Sequence, residues 1–130
     1  MEIKKQDLQL GLSSEKKMIF RIRELFGKDI ERNGLYDIFD YENEKYQIEL
    51  KTRRIRSTDF ADIMIGLNKL QIAEKTENKK SIFLWKMVDG LFMWEFNKNQ
   101  YSVRMGGTCR RGKDERKYCG FVPTEYLIKV

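Results

Sequence analysis

Apolar and polar positions along this chain follow two periods, one near 3.6 residues and one of two. Over residues 15–26, "EKKMIFRIRELF", the spacing is helical: Ile19, Ile22 and Phe26 form one stripe, flanked by Met18 and Leu25. Ser13 and Ser14 are good N-cap residues and Gly27 is a stop, which bounds the helix. Carried back one turn, the stripe reaches Glu15, whereas Glu24 lies on the opposite side and is expected in solvent.

Short strands are expected at 28–32, at 35–41 ("LYDIFDY") and at 46–53 ("YQIELKTR"), with "ENEK" between the last two as a hairpin turn. The stretch 56–75, "RSTDFADIMIGLNKLQIAEK", reads as a second helix capped by Ser57, Thr58 or Asp59. Its buried stripe is Phe60, Ile63, Leu67 and Leu70, with Gly66 as a weak point. "SIFLWKMV" (81–88) is nearly all apolar, as a strand covered on both faces would be. Asp89-Gly90 then signals a tight turn into "LFMWEF". "NKNQ" turns into "YSVRM", the segment 106–120 reads as a basic loop, and "FVPTEYLIKV" closes the chain as a short strand or helix after Pro123. Trp85, Trp94 and Tyr101 fall in these strand patterns and belong in the core. Helix, strands, helix, strands without linker or repeat predicts one α/β domain over 1–130.

Charge changes the picture next. Lys and Arg number 26 against 20 Asp and Glu, a net charge of +6, and the pI is about 9.3. The excess is local: "KTRRIR" (51–56) has four positive charges and no negative one, and "RRGKDERK" (110–117) has five against two. Two basic clusters point to a polyanion, nucleic acid first, with solvated loops as the alternative. No run approaches the roughly 20 apolar residues of a membrane span. The first residues lack the apolar block and cleavage site of a secretory signal. A soluble intracellular protein without a membrane partner is the expectation.

Histidine is absent, which removes Ser-His-Asp and Cys-His sets, His phosphotransfer and His-containing zinc sites. Cys109 and Cys119 are too few for structural zinc, and a disulfide between them is not expected in a reducing compartment. There is no phosphate-binding GxxxxGK[ST] or GxGxxG loop. What remains is chemistry by carboxylates, lysines and a hard metal ion.

Strand alternation along 46–53 puts Tyr46, Ile48 and Leu50 on one face and Gln47, Glu49 and Lys51 on the other. Alone, this ExK spacing is also what a surface ion pair looks like. The preceding strand adds Asp37 and Asp40, and hairpin parity decides which joins Glu49. An odd loop brings Asp37; an even one brings Asp40, opposite Gln47. The residues leave that parity open.

Asp37 in "YDI", a hairpin, and then "IELK" (48–51) resemble the PD-(D/E)XK nuclease superfamily, in its Holliday-junction-resolvase-like branch. The likeness covers roughly residues 12 to 88, with Tyr36 where the nominal motif has proline. It implies a restriction-endonuclease-like core of helix, three antiparallel strands, helix and strand, here with an added C-terminal β-hairpin and basic loop. It assigns Asp37 to the motif aspartate, Glu49 and Lys51 to the ExK pair, and Glu15 to the first-helix acid. It implies a metal-dependent endonuclease cutting DNA, structure-selective on branched or junction substrates, leaving 5′-phosphate and 3′-hydroxyl ends.

The chemistry is consistent with that assignment. Phosphodiester hydrolysis calls for a hard cation, and Mg²⁺, with Mn²⁺ able to substitute, takes oxygen ligands and keeps several waters. Asp37, Glu49 and the Leu50 carbonyl would hold the ion, with Glu15 direct or through water. Lys51 would orient the nucleophile or neutralise developing charge. Arg53, Arg54 and Arg56, then Lys69 on the second helix and Arg110, Arg111 and Lys113 in the basic loop, are candidate nucleic-acid contacts. The expected partner is DNA, with RNA open, and a homodimer could form through the apolar hairpin at 81–96. An inactive nucleic-acid-binding module of the same fold is the alternative function, and an interaction protein with a surface Glu-Lys pair is a third.

Overall fold

The structure is a computed structural model that describes residues 17–130 apart from 35, 107–108, 111–112 and 115–116, with the backbone alone at 109–110 and 113–114. Helix α1 (17–26) buries Ile22 and packs Ile19 and Phe26 beside it, the stripe expected from the periodicity. It ends at Gly27, whose N–H donates to Arg23 O (2.9 Å) and whose φ of 135° favours a residue without Cβ. Glu24 lies in solvent, paired with Arg21 (3.0 Å).

Three strands follow: β1 (Glu31–Arg32), β2 (Tyr41–Glu42) and β3 (Tyr46–Thr52). The pairs β1–β2 and β2–β3 are antiparallel. The chain then makes β4 (Asp62–Gly66) and helix α2 (Leu67–Lys75) before returning as β5 (Lys80–Met87), parallel to β3. A tight turn gives β6 (Gly90–Glu95), with φ 144° at Gly90. Beyond it lie β7 (Ser102–Gly106), the short β8 (Cys109–Arg110) and β9 (Lys113–Asp114), β10 (Lys117–Pro123), a 3₁₀ turn (Thr124–Tyr126) and β11 (Ile128–Lys129).

The strands form a mixed sheet in the order β1-β2-β3-β5-β6-β11 and a smaller antiparallel one, β4-β10-β7, with β8 and β9 pairing separately. The α/β class is as expected, with the additional strand β4 standing between β3 and α2. Each face of the large sheet has its own core. Ile48, Ile82 and Leu84 pack with Ile22 and Tyr41 on the α1 side. Phe83, Trp85 and Trp94 pack with Leu70 and Ala73 of α2 and with Ile63, Ile65 and Val122 of the small sheet on the other. Trp85 and Trp94 are thus core residues, and Tyr101 packs edge-on to Trp94.

Four expectations need correction. The strand at 35–41 shrinks to Tyr41–Glu42. The stretch before it turns instead, because Asp37 Oδ2 accepts from Gly34 N (2.8 Å) and Asn33 bonds Phe39 O (2.8 Å) and Asp40 O (2.7 Å). Asx side chains and glycine compete with the ladder in this way. The helix at 56–75 starts only at Leu67. "DIMIG" alternates with period two, Ile63 and Ile65 inward and Met64 out, and pairs with β10. Phe60 is accordingly exposed, and Ser57 and Asp59 cap no helix. The basic segment 106–120 contains β8, β9 and the start of β10. Finally, the hairpin 81–96 is no free apolar surface: β5 is interior to the sheet and β11 covers β6, leaving Val88 exposed at the turn. Among the described residues no helix is long and apolar enough to cross a membrane.

Candidate functional site

Glu49 and Lys51 project from β3 on the α2 side, where Glu49 stands beside Phe83 in parallel register and Lys51 beside Trp85. A carboxylate in this company is expensive to bury unless paired. Glu49 is 4 % exposed, and Lys69 of α2 donates to its Oε1, with Lys51 Nζ 3.4 Å from the same oxygen. Glu49 Oε2 is buried without a hydrogen-bond partner among the described residues. Burial pushes the Glu49 carboxyl above its usual range, the Lys69 bond opposes that rise, and the charge of Asp40 adds to it. One position back on this face, Gln47 is held by Nε2 bonds to Ser81 Oγ (2.8 Å) and Thr76 Oγ1 (3.1 Å).

The hairpin and the turn before it place the two aspartates differently. Asn43 Oδ1 accepts from the N–H groups of Lys45 (2.9 Å) and Tyr46 (2.7 Å), and Asn43 N bonds Tyr46 O (3.0 Å), so the loop is even. Glu42 therefore faces Gln47 and Tyr41 faces Ile48, and it is Phe39, not Asp40, that packs against Phe83 on the face Glu49 shares. Asp40 N donates to Ile48 O (2.9 Å), and Asp40 Oδ2 accepts from Leu50 N (2.9 Å). Since a strand residue turns its N–H and C=O to the same neighbour, the Leu50 carbonyl emerges on that edge as well. Asp37, the aspartate the resemblance selects, is exposed in the preceding turn. The correction is local: the short turn bonds of residues 33–40 end β2 before it reaches Asp37.

Glu49, Lys51 and Arg53 open into a cleft of about 250 Å³ whose wall also includes Gly66, Asn68, Lys69 and Lys117. Among the described residues four cations thus line it against one carboxylate. On the other face of β3, a hollow of about 210 Å³ holds Asp40 with Arg32, Thr52 and Lys86. No family model, curated protein or solved structure matches this chain. Its chemistry has to be read from these side chains.

The arginine run is fixed by its backbone. Arg53 N bonds Lys86 O (2.9 Å), Val88 N bonds Ile55 O (2.9 Å), and Ser57 donates through N (3.0 Å) and Oγ (2.5 Å) to Asp89. Ile55 packs on the core, so Arg53, Arg54 and Arg56 are left pointing out. The Ser57 bonds hold the Asp89 carboxyl below its usual range. Lys69, a candidate nucleic-acid contact in the sequence, is here the partner of Glu49. Glu15 and Arg111 lie outside the described residues, and only the backbone is described at Arg110 and Lys113.

Among the described residues no three acidic, cysteine or histidine side chains gather as a metal cluster. The residues nevertheless fit a hard divalent ion, because Glu49 carries an unpartnered buried oxygen and the Asp40 carboxylate, just before β2, is near enough for its charge to act on Glu49. Mg²⁺ is held by one or two carboxylates plus waters and substrate phosphate, so a full protein cage is not required. Lys117 carried no signal of its own beyond the basic cluster, and Asp40 was left open beside Asp37. "NEKY", an Asn opening a two-residue turn, was the signal for the even loop.

Proposed function

We propose that this chain is a metal-dependent nuclease that hydrolyses phosphodiester bonds in DNA. The observation that carries the reading is the buried, half-partnered Glu49 carboxylate next to Lys51 at the floor of a cation-lined cleft. The element order, with an ExK strand between an antiparallel neighbour and a parallel one, supports a PD-(D/E)XK-type core. Asp40 takes the role that the resemblance gives to Asp37.

In this reading Glu49 and Asp40 would hold Mg²⁺ or Mn²⁺, with the Leu50 carbonyl on the same edge. When bound, the ion offsets charge on the phosphorus oxygens and acidifies a coordinated water. Lys51, 43 % exposed and at the cleft floor, holds the nucleophile or neutralises the developing charge. Arg53, Arg54, Arg56 and Lys117 bind flanking phosphates, and the fixed loop spares the ordering entropy of that contact.

A gel assay with Mg²⁺ or Mn²⁺ on branched, duplex and single-stranded DNA, with RNA alongside, tests the proposal. Cleavage is expected, and Lys51→Ala should reduce it by about 10²–10⁴-fold while DNA binding persists. A second reading, a binding module without turnover, draws on the lack of a three-acid cluster among the described residues. Tight binding without cutting would establish it, and neither cutting nor low-salt binding would defeat both.

A further inference from the structure

We propose that Lys69 is an internal counter-ion that occupies Glu49 in place of the divalent cation, and that arrival of the cation releases Lys69 to a phosphate in the cleft. The inference deepens the nuclease reading and rests on Glu49 being a cation ligand. Lys69 and Lys51 both approach the same oxygen, Oε1, from α2 and from β3, while Oε2 is left without a partner among the described residues. A pair serving stability alone would share its donors between both oxygens, because an unsatisfied buried acceptor carries a desolvation penalty. The arrangement is instead half of a coordination site with a cation already in it.

Lys69 is suited to leave. Its ammonium ends a flexible four-carbon stem, its side chain is 18 % exposed, and it lines the cleft that Lys51, Arg53 and Lys117 also line. A divalent ion at Glu49 repels the ammonium, and a phosphodiester in the cleft offers it a new anion a short swing away. Metal and nucleic acid would then reinforce each other's binding through one side chain, a coupling that must be reciprocal.

The test uses the full chain and Mn²⁺ alone, with free Mn²⁺ followed by electron paramagnetic resonance. Lys69→Met should bind Mn²⁺ on the order of tenfold more tightly than wild type, and Lys69→Gln should do the same with the amide still able to bond Glu49. Adding Glu49→Gln should erase the gain. In parallel, fluorescence anisotropy should show Lys69→Met weakening duplex binding more with Mn²⁺ present than without it. Unchanged or weaker Mn²⁺ binding in folded Lys69→Gln overturns the proposal and leaves a structural ion pair. If wild type cleaves DNA and the Lys69 variants gain nothing, only this inference fails. If the variants gain a Glu49-dependent Mn²⁺ site while no form cleaves, the inference stands and the nuclease reading falls.

Discussion

Gly120→Ala tests the packing that aims Lys69. Gly120 lies in β10 between Ile65 and Val103 of its neighbours, against the buried Leu70 of α2. A Cβ there would land inside the Leu70 Cδ1 methyl, with Leu70 Cγ at 3.5 Å and Tyr101 Cδ2 at 3.6 Å. Leu70 is 0 % exposed and cannot swing into solvent. Overpacking of this kind destabilises by about 1–3 kcal/mol. The φ at 120 is not in the left-handed region, so alanine also gains roughly 0.4–1 kcal/mol by restricting the unfolded chain. The net loss is about 1–2 kcal/mol, a midpoint drop on the order of 3–10 °C for a domain of this size. Urea unfolding of both single variants and the double variant with Leu70→Ala measures the coupling. Leu70→Ala alone should lose about 2–5 kcal/mol. In that background Gly120→Ala should turn neutral or stabilising, a coupling of about 1–3 kcal/mol. Equal losses in both backgrounds would show that β10 does not press on α2, and with it the account of what sets Lys69 against Glu49 would go.

Asp40→Asn should lower DNA cleavage by about 10²-fold or more, whereas Asp37→Asn should stay within a few-fold; the opposite ranking would restore the odd hairpin. Replacing Arg53, Arg54 and Arg56 by Gln should flatten the salt dependence of DNA binding, by about 0.9 in log-log slope for each phosphate these arginines neutralise. An unchanged slope removes them from the interface. Asp89 has its folded pKa depressed by Ser57, so its contribution to stability is full above the ordinary value of 3.8 and fades as pH falls through the folded value. Asp89→Asn should therefore be less stable than wild type at pH 7, with the gap closing in acid. A gap that widens in acid would contradict the bond to Ser57.

The C-terminal end of α1, the ExK strand, the buried 81–88 strand and the turn at Asp89-Gly90 were all legible from the chain. In each, periodicity and local stop signals agree: Ile19, Ile22 and Phe26 face one way, and Gly27 and Gly90 carry the positive φ that the turns need. The stretch 56–75 was not legible. Phe60, Ile63, Leu67 and Leu70 fit a helical stripe, and Ile63 and Ile65 fit a strand equally well. The choice was made by β10, a partner distant in the chain, which offers a ladder to "DIMIG". Local periodicity carries no information about such a partner.

What the sequence determined by itself is that Glu49 and Lys51 share a face and that arginines follow them, because side chains in a strand alternate whatever surrounds them. What only the tertiary structure decided is the company they keep. The bonds of the turn before β2 set Asp40 rather than Asp37 against β3, with its Oδ2 on Leu50 N. The seat of α2 set the Lys69 ammonium on the same carboxylate. Both depend on contacts between separate elements, and those distances exist only once the chain has closed on itself.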